Sequence, residues 1–338
     1  MSRPELPLQF QLDATDRHLA TNVPNGCRSR LRGMIGIASA GRSEILSHTV
    51  RDLLSQSAAP PDVIVCVPGA EHAGDLPEHQ NLQVICGPSG LTRQRNAILE
   101  AARGRADVLV FFDDDFVPHR DYVTNILSAF EDNPALVIAT GTVLADGILG
   151  LPIEREAAIA RLSSCALPEK RVAPCYNAYG CNMALRISTA WDAEVWFDER
   201  LPLYGWLEDV DFSRAMARHG ECARVSNAIG IHLGVRSGRQ SGRRLGYSQV
   251  ANPWFMMRKK TLTAPRALAQ ITRNLLANII GSALRQADID RPGRLWGNML
   301  ALADLACARL DPQRILTIDQ KTATWPPAKP TATEGTRG

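Results

Sequence analysis

Hydrophobic positions along the chain change their period more than once. Residues 1 to about 30 follow neither a helical nor a strand period and read as an extension. From Gly33 onward, short apolar runs alternate with helical ones. Met34 to Ala38 is a strand-like run ending in small residues, and Ser43 stands where it can cap a helix. In that helix Ile45, Leu46, Thr49, Val50, Leu53 and Leu54 recur at helical spacing, and Pro60-Pro61 stops it. Val63 to Val67 and Leu82 to Cys86 predict two further strands. A helix follows from about Leu91 to Arg103, with Gly104 beyond its end. Val108 to Phe112 is the most apolar short run of all. Tyr122, Ile126, Leu127 and Phe130 then share a helix face, and a strand is expected near Leu136 to Val143. Residues 144–175 show no clear period. Strands alternating with helices of this length predict an α/β fold, Rossmann-like, with a mostly parallel sheet and helices on both faces. Ligands of such sheets bind beyond the carboxyl ends of the strands.

After Leu233 the pattern becomes polar and basic, then amphipathic. Leu268, Ile271, Leu275, Ile279 and Leu284 predict one helix face, and Leu295, Met299, Leu302 and Leu305 another. Four regions follow: an extension over 1–30, an α/β unit over 31–235, a small helical region over 236–315, and a tail over 316–338 that reads as disordered. Charge divides the chain in the same place. Its net charge is +3, yet Leu233 to Ala287 holds ten Lys and Arg and no acid, leaving −7 for the remainder. The longest uncharged apolar stretch, Leu275 to Leu284, is about half of what a membrane span needs. The N-terminus shows no secretory signal, and the eight cysteines form no CxxC pair. Buried free thiols in a reducing cytosol are therefore expected, with peripheral contact at the inner face of a membrane an added option for the basic stretch.

Asp113, Asp114 and Asp115 follow the most apolar strand at once. A run of aspartates is ordinarily a solvated turn; delivered to the ligand edge of a sheet, it suits a hard divalent cation, Mn²⁺ or Mg²⁺, shared with phosphate oxygens. Glu208 and Asp209 open a helix whose Val210, Phe212 and Met216 face inward. Acids there compensate the helix dipole, or serve as a general base in a cleft where Trp206 or Tyr204 offers a flat face to an acceptor sugar. His232, in a strand-like run, is either a satisfied core residue or an additional metal ligand. Arg236 to Arg244, Arg243 and Arg244 among them, form a basic run suited to diphosphate or anionic headgroups. No nucleic-acid-reading module is present.

Read together, IGIASAGR (35–42), GPSGLTRQRNAILEAARG (87–104), VLVFFDDDFVP (108–118), GCNMALR (180–186), FDERLPLYGWLEDVDFSRAMARHG (197–220) and IGIHLG (229–234) resemble the GT-A glycosyltransferases, most closely the inverting family 2. The likeness covers about 200 of the 338 residues. It implies a GT-A fold and a nucleotide-diphospho-sugar donor, with a glycan or lipid-linked acceptor. By the resemblance, Asp113 and Asp115 form the DxD motif, Asp115 on the metal with His232, and Asp113 and Asp114 near the donor. Asp209 matches the catalytic base, beside Glu208. Arg95 and Asn96, with Arg93 nearby, match the donor-binding helix; Ala38 and Asn182 lie in segments that approach the donor, and Arg243 and Arg244 close over its phosphates. Two departures stand out. The family's Asp after the second strand is absent, Val67-Pro68-Gly69-Ala70-Glu71 standing in its place, and Gln240-Ser-Gly-Arg243-Arg244 lacks the Trp of the polymerising synthases. The alternatives are a catalytically silent relative that binds sugar nucleotides or glycans, or a nucleotidyltransferase using the aspartates.

Overall fold

A computed structural model describes residues 30–56, 61–148, 150–235, 241–285 and 289–319. The extension over 1–29, Cys27, Arg236, Arg239, Gln240 and the tail from residue 320 lie outside the described residues. The first half follows the expected alternation: β1 (Gly33–Ala38), α1 (Ser43–Ser55), β2 (Asp62–Val67), β3 (Leu82–Cys86), α2 (Leu91–Ala101) and β4 (Val108–Phe112). These strands pair in parallel in the order β3-β2-β1-β4. The apolar runs of β1, β2 and β4 are unbroken because both faces are covered, while β3 at the sheet edge is largely exposed. Ile35, Ile37, Val108, Val110 and Phe112 point to one side with α1, while Met34, Leu109 and Phe111 point to the other with α2.

The second half is woven differently. After β5 (Phe116–Pro118) and α3 (Tyr122–Asp132), the long β6 (Leu136–Asp146) runs parallel to β9 (Glu221–His232). Between them in sequence lie α4 (Arg155–Ser163), β7 (Val172–Pro174), β8 (Met183–Arg186), α5 (Ile187–Asp192) and α6 (Glu208–Met216). β8 inserts antiparallel between β4 and β6, while β5 and β7 pair antiparallel with β9. The α4 helix falls in the stretch whose period was unclear. Ser43 is the first residue of α1 and caps nothing; Arg42 holds the N-cap position, and no side chain caps this helix.

Three helices follow: α7 (Gly242–Lys259), α8 (Ala264–Ala283) and α9 (Arg291–Ala306). α7 was hidden in the sequence because Gly246 and the internal Pro253 disguise it. Its glycine has a structural reason, since a Cβ on Gly246 would meet the Arg294 carbonyl at 2.0 Å. The expected face of α8 is not a single face. Ile271 turns inward with Ala267, Asn278 and Gly281, whereas Leu268, Ile279 and Leu284 are exposed. On α9, Met299 is likewise exposed, and the buried positions are Gly297, Asn298, Ala301 and Asp304. The helices meet through a polar seam: Asn278 Nδ2 donates to Gln249 Oε1 and to Asn298 Oδ1, each at 2.8 Å. All described cysteines are free thiols, but Cys86 and Cys307 are exposed and not buried as expected. Among the described residues no helix is long and apolar enough to cross a membrane.

Candidate active site and metal centre

The carboxyl end of β4 delivers the three aspartates to three different environments. Asp114 is turned back toward β1, where Ser39 Oγ donates to its Oδ2 and Arg42 Nη1 to its Oδ1, both at 2.6 Å. Burial pushes its carboxyl up to about 7 despite Arg42 beside it. Asp115 accepts Val235 N–H at 2.8 Å and Arg42 Nη2 at 3.2 Å on Oδ2. Its Oδ1 lies 3.2 Å from His232 Nε2. Burial alone would raise this carboxyl, but His232, Arg42 and the Val235 amide outweigh it and hold it near 2. Asp113 is the most open of the three and lies 4.0 Å from His232 Nε2.

Asp113, Asp115 and His232 present ligand atoms that all lie within 4.8 Å of one another. Two carboxylates and one imidazole are a donor set that suits Mn²⁺. The imidazole is also oriented for the task. Its Nδ1 lies 3.1 Å from Asp146 Oδ1, leaving Nε2 toward the aspartates. Asp146 is itself held by Tyr179, whose hydroxyl donates to Oδ2 at 2.9 Å. Burial would lower the His232 pKa, yet Asp115 and Asp146 raise it to about 10, so Nε2 would have to give up a proton to hold a cation. The donor set fits a divalent metal.

One guanidinium joins this centre to the second acidic cluster. Arg95, 1% exposed, donates from Nη2 to Asp113 Oδ1 at 3.1 Å and from Nη1 to Glu208 Oε1 at 2.6 Å. A further bond from Nη2 reaches the Gly180 carbonyl at 2.8 Å. Its plane lies near the rings of Phe111 and Phe197. Asp209 takes the Gly180 N–H on Oδ2 at 3.1 Å and the Val210 N–H on Oδ1 at 2.8 Å. Burial raises its carboxyl, and burial carries Glu208 up to about 8 against the pull of Arg95. The approach is close enough that a Cβ on Gly180 would sit 3.1 Å from Glu208 Oε1. Leu207, the N-cap of α6, has φ +71° and Leu203 has φ +59°. Non-glycine residues held in the left-handed region mark a loop constrained by its surroundings, as functional loops often are.

The remaining expected residues divide. Ala38 ends β1 beside Ser39, and Tyr204 is exposed on the loop before α6. Trp206 is half-buried, and its carbonyl accepts Asn252 Nδ2 of α7 at 2.7 Å. Asn96 stitches α2 to Phe197 and Glu199, and Arg93 pairs with Glu199 at 3.4 Å, so neither faces the aspartates. Asn182 is fully buried, accepting from Thr140 Oγ1 and Tyr122 Oη. Arg243 and Arg244 pair with Asp319 at 3.9 and 3.0 Å and are not drawn to the metal centre. Glu71, in the stretch that lacks the family's Asp, is exposed beside His72, whose Nδ1 accepts Gly41 N–H at 3.0 Å. Sequence reasoning missed Arg42, Asp146 and Tyr179. Arg42 and Asp146 each end a strand or follow one, so the strand-end rule was the available signal.

Comparison with known proteins adds an independent finding. Residues 35–150 match the family model described as "Glycosyl transferase family 2". A curated relative, the glucosyl-dolichyl phosphate glucuronosyltransferase of Haloferax volcanii, is 26% identical over 119 residues, which are 34% of this chain and 38% of that protein. The chain thus spans well under half the length of the curated relative it matches. Among solved structures, the mannosyltransferase PcManGT of Pyrobaculum calidifontis, in complex with GDP-Man and Mn²⁺, aligns over 83% of this chain and 88% of its own. That alignment has a TM-score of 0.48 and 13% identity. GalNAc-T7 with UDP, GalNAc and Mn²⁺ aligns over 66% of this chain and 50% of its own, with a TM-score of 0.46 and 12% identity.

Proposed function

From the match of residues 35–150 to the glycosyl transferase family 2 model, we propose that this protein transfers a sugar, with inversion, from a nucleotide-diphospho-sugar to an acceptor hydroxyl on a glycan or lipid-linked sugar. The catalytic unit is residues 31–235. The observation that carries this reading is Arg95, whose single guanidinium bonds Asp113 of the metal centre and Glu208 of the base pair. Metal centre and base are therefore joined in one hydrogen-bonded site.

Asp113, Asp115 and His232 would hold the divalent cation, which when bound supplies Lewis-acid charge for the departing diphosphate. Mn²⁺ suits the mixed oxygen and nitrogen set better than Mg²⁺, which favours oxygen alone. Asp209, fixed by two backbone amides, accepts the proton of the acceptor hydroxyl as that oxygen bonds to the anomeric carbon. The bond from carbon to diphosphate breaks on the opposite face. Glu208 is committed to Arg95 through Oε1, which favours Asp209 as the base. Because proton transfer is late, an aspartate suffices. Tyr204, exposed on the same loop, would offer its ring to the acceptor sugar.

The test is a screen of nucleotide sugars with Mn²⁺ in which proton NMR reads the anomer of the product, repeated with Asp209→Asn. Turnover should fall by about 10²–10⁴ in the variant with donor affinity nearly unchanged. Retention of more than about a third of turnover moves the role to Glu208. Donor binding with no transfer by the unaltered chain would instead support the silent relative.

A further inference from the structure

The outward side of α8 is apolar from end to end. Leu268, Leu276, Ile279, Ile280 and Leu284 are between 49% and 70% exposed. The other exposed positions of the helix are Ala264, Pro265, Ala269, Thr272 and Ala283, with Arg266 its one exposed charge, in the first turn. The opposite side of the same helix buries Ala267, Ile271, Asn278 and Gly281 against α7 and α9. Helical geometry requires these two sets to face in opposite directions. Trp296 and Met299 of α9 are exposed as well. An exposed apolar surface of this kind marks an interaction.

Charge indicates what covers it. Arg266 and Arg285, both exposed, stand at the two ends of α8, and the stretch from Leu233 to Ala287 that holds α7 and α8 contains no acid. In α9 the one acid, Asp304, is buried on Tyr247 Oη. A second copy of this chain, meeting the face in a two-fold contact, would set one cation-rich surface against another. An anionic bilayer complements both features, taking the apolar side chains below the headgroups and the cations at their level. Trp296 suits the same boundary.

We propose that the exposed face of α8 and α9 docks this protein on an anionic lipid surface, with α8 lying in the interface without crossing it. Capture of a lipid-linked acceptor there rests on the transferase reading; the docking itself does not, and its test involves no turnover.

The test is co-sedimentation of the full chain with phosphatidylcholine vesicles, with and without phosphatidylglycerol, at low and high salt. Partition onto the anionic vesicles should fall at least about tenfold as the Debye length shrinks from about 10 Å toward 3 Å. The double substitution Leu276→Glu with Ile280→Glu removes two large apolar anchors and should lower partition by about a hundredfold or more. Its melting temperature and donor affinity should stay at the unaltered values, because both positions are exposed. Three results overturn the proposal: protein left in the supernatant at low salt, equal binding to phosphatidylcholine alone, or a dimer in sedimentation equilibrium that the double substitution dissolves without any vesicle binding.

Discussion

At the carboxyl edge of the sheet, charged side chains are buried; on the outward side of α8, apolar ones are exposed. Asp114, Asp115, Arg95, Glu208, Asp209 and His232 are each less than 10% exposed, an arrangement that water would make far less costly at the surface. Leu276 and Ile280, by contrast, each leave about half their surface in water. Ordinary folding explains neither. The two regions differ in how they tolerate the departure. In the cleft each charge has partners within the chain, so the centre stands assembled before any ligand arrives. On α8 no described residue covers the apolar side chains. Preorganised polarity is therefore the signature of chemistry here, and uncovered apolar surface the signature of docking.

The largest test of the cleft is to remove the guanidinium that holds it together. Arg95→Met keeps an unbranched apolar stem beside Phe111 and Phe197 but leaves Glu208 and Asp113 without their shared cation. Breaking a buried pair by deleting one partner costs about 3–5 kcal/mol. For a domain of this size that corresponds to a fall of roughly 6–20 °C in melting temperature. The loss should be smaller at pH 5 than at pH 8. As pH falls through the raised pKa of Glu208, about 8, the carboxyl gains a proton and no longer needs the guanidinium. A melting temperature within about 2 °C of the unaltered chain at pH 8 would show that Arg95 does not bind the two clusters together.

A smaller effect belongs to Asp146, which touches the metal centre only through His232. Asp146→Asn retains a group able to accept from Tyr179 Oη but removes the negative charge that orients the imidazole. Loss of such a partner typically lowers metal affinity about 10–100-fold. Titration calorimetry with Mn²⁺ alone reads this directly, and the proton released on binding should also change, since His232 then starts with a lower pKa. Unchanged affinity would mean that Asp146 serves the fold of β6 and not the metal.

How much of this was legible in the sequence follows from the range of the forces involved. β1, β2 and β4 were readable because burial on both faces writes an unbroken apolar run, and α2 and α3 because one buried face writes a helical period. The strand-end aspartates and the ED pair stood out in the sequence for the same local reason. Arg95 was assigned to the donor, whereas the structure commits it to Glu208, 113 residues away. Arg42 and Asp146 escaped notice although they meet partners 73 and 86 residues distant, on Asp115 and His232. No local pattern records a contact of that span. The two sides of α8 were misread for another reason: large apolar residues lie on its exposed side, while the buried side is written mostly in small and polar ones, Ala267, Asn278 and Gly281 beside Ile271.

The gentlest perturbation concerns the turn between α7 and α8, where the docking region joins the chain. Lys260 ends α7 in the left-handed conformation, φ +65° and ψ +25°, with its N–H on the Met257 carbonyl at 3.1 Å. An L side chain there costs roughly 1–2 kcal/mol that glycine avoids, partly offset by glycine's greater freedom when unfolded. The backbone carbonyl of Lys260, which accepts Arg218 Nη2 at 2.9 Å, is untouched by the substitution. Lys260→Gly should therefore stabilise the chain by about 1 kcal/mol, a rise of roughly 2–4 °C in melting temperature. Turnover should not change, because the residue touches neither the metal centre nor Asp209. Lys260→Ala supplies the control: it removes the same ammonium but keeps the strained Cβ, so it should not gain stability. Equal gains in both variants would trace the effect to charge repulsion within the cation-rich stretch, and the contrast between cleft and docking face would then extend to the helices' own folding.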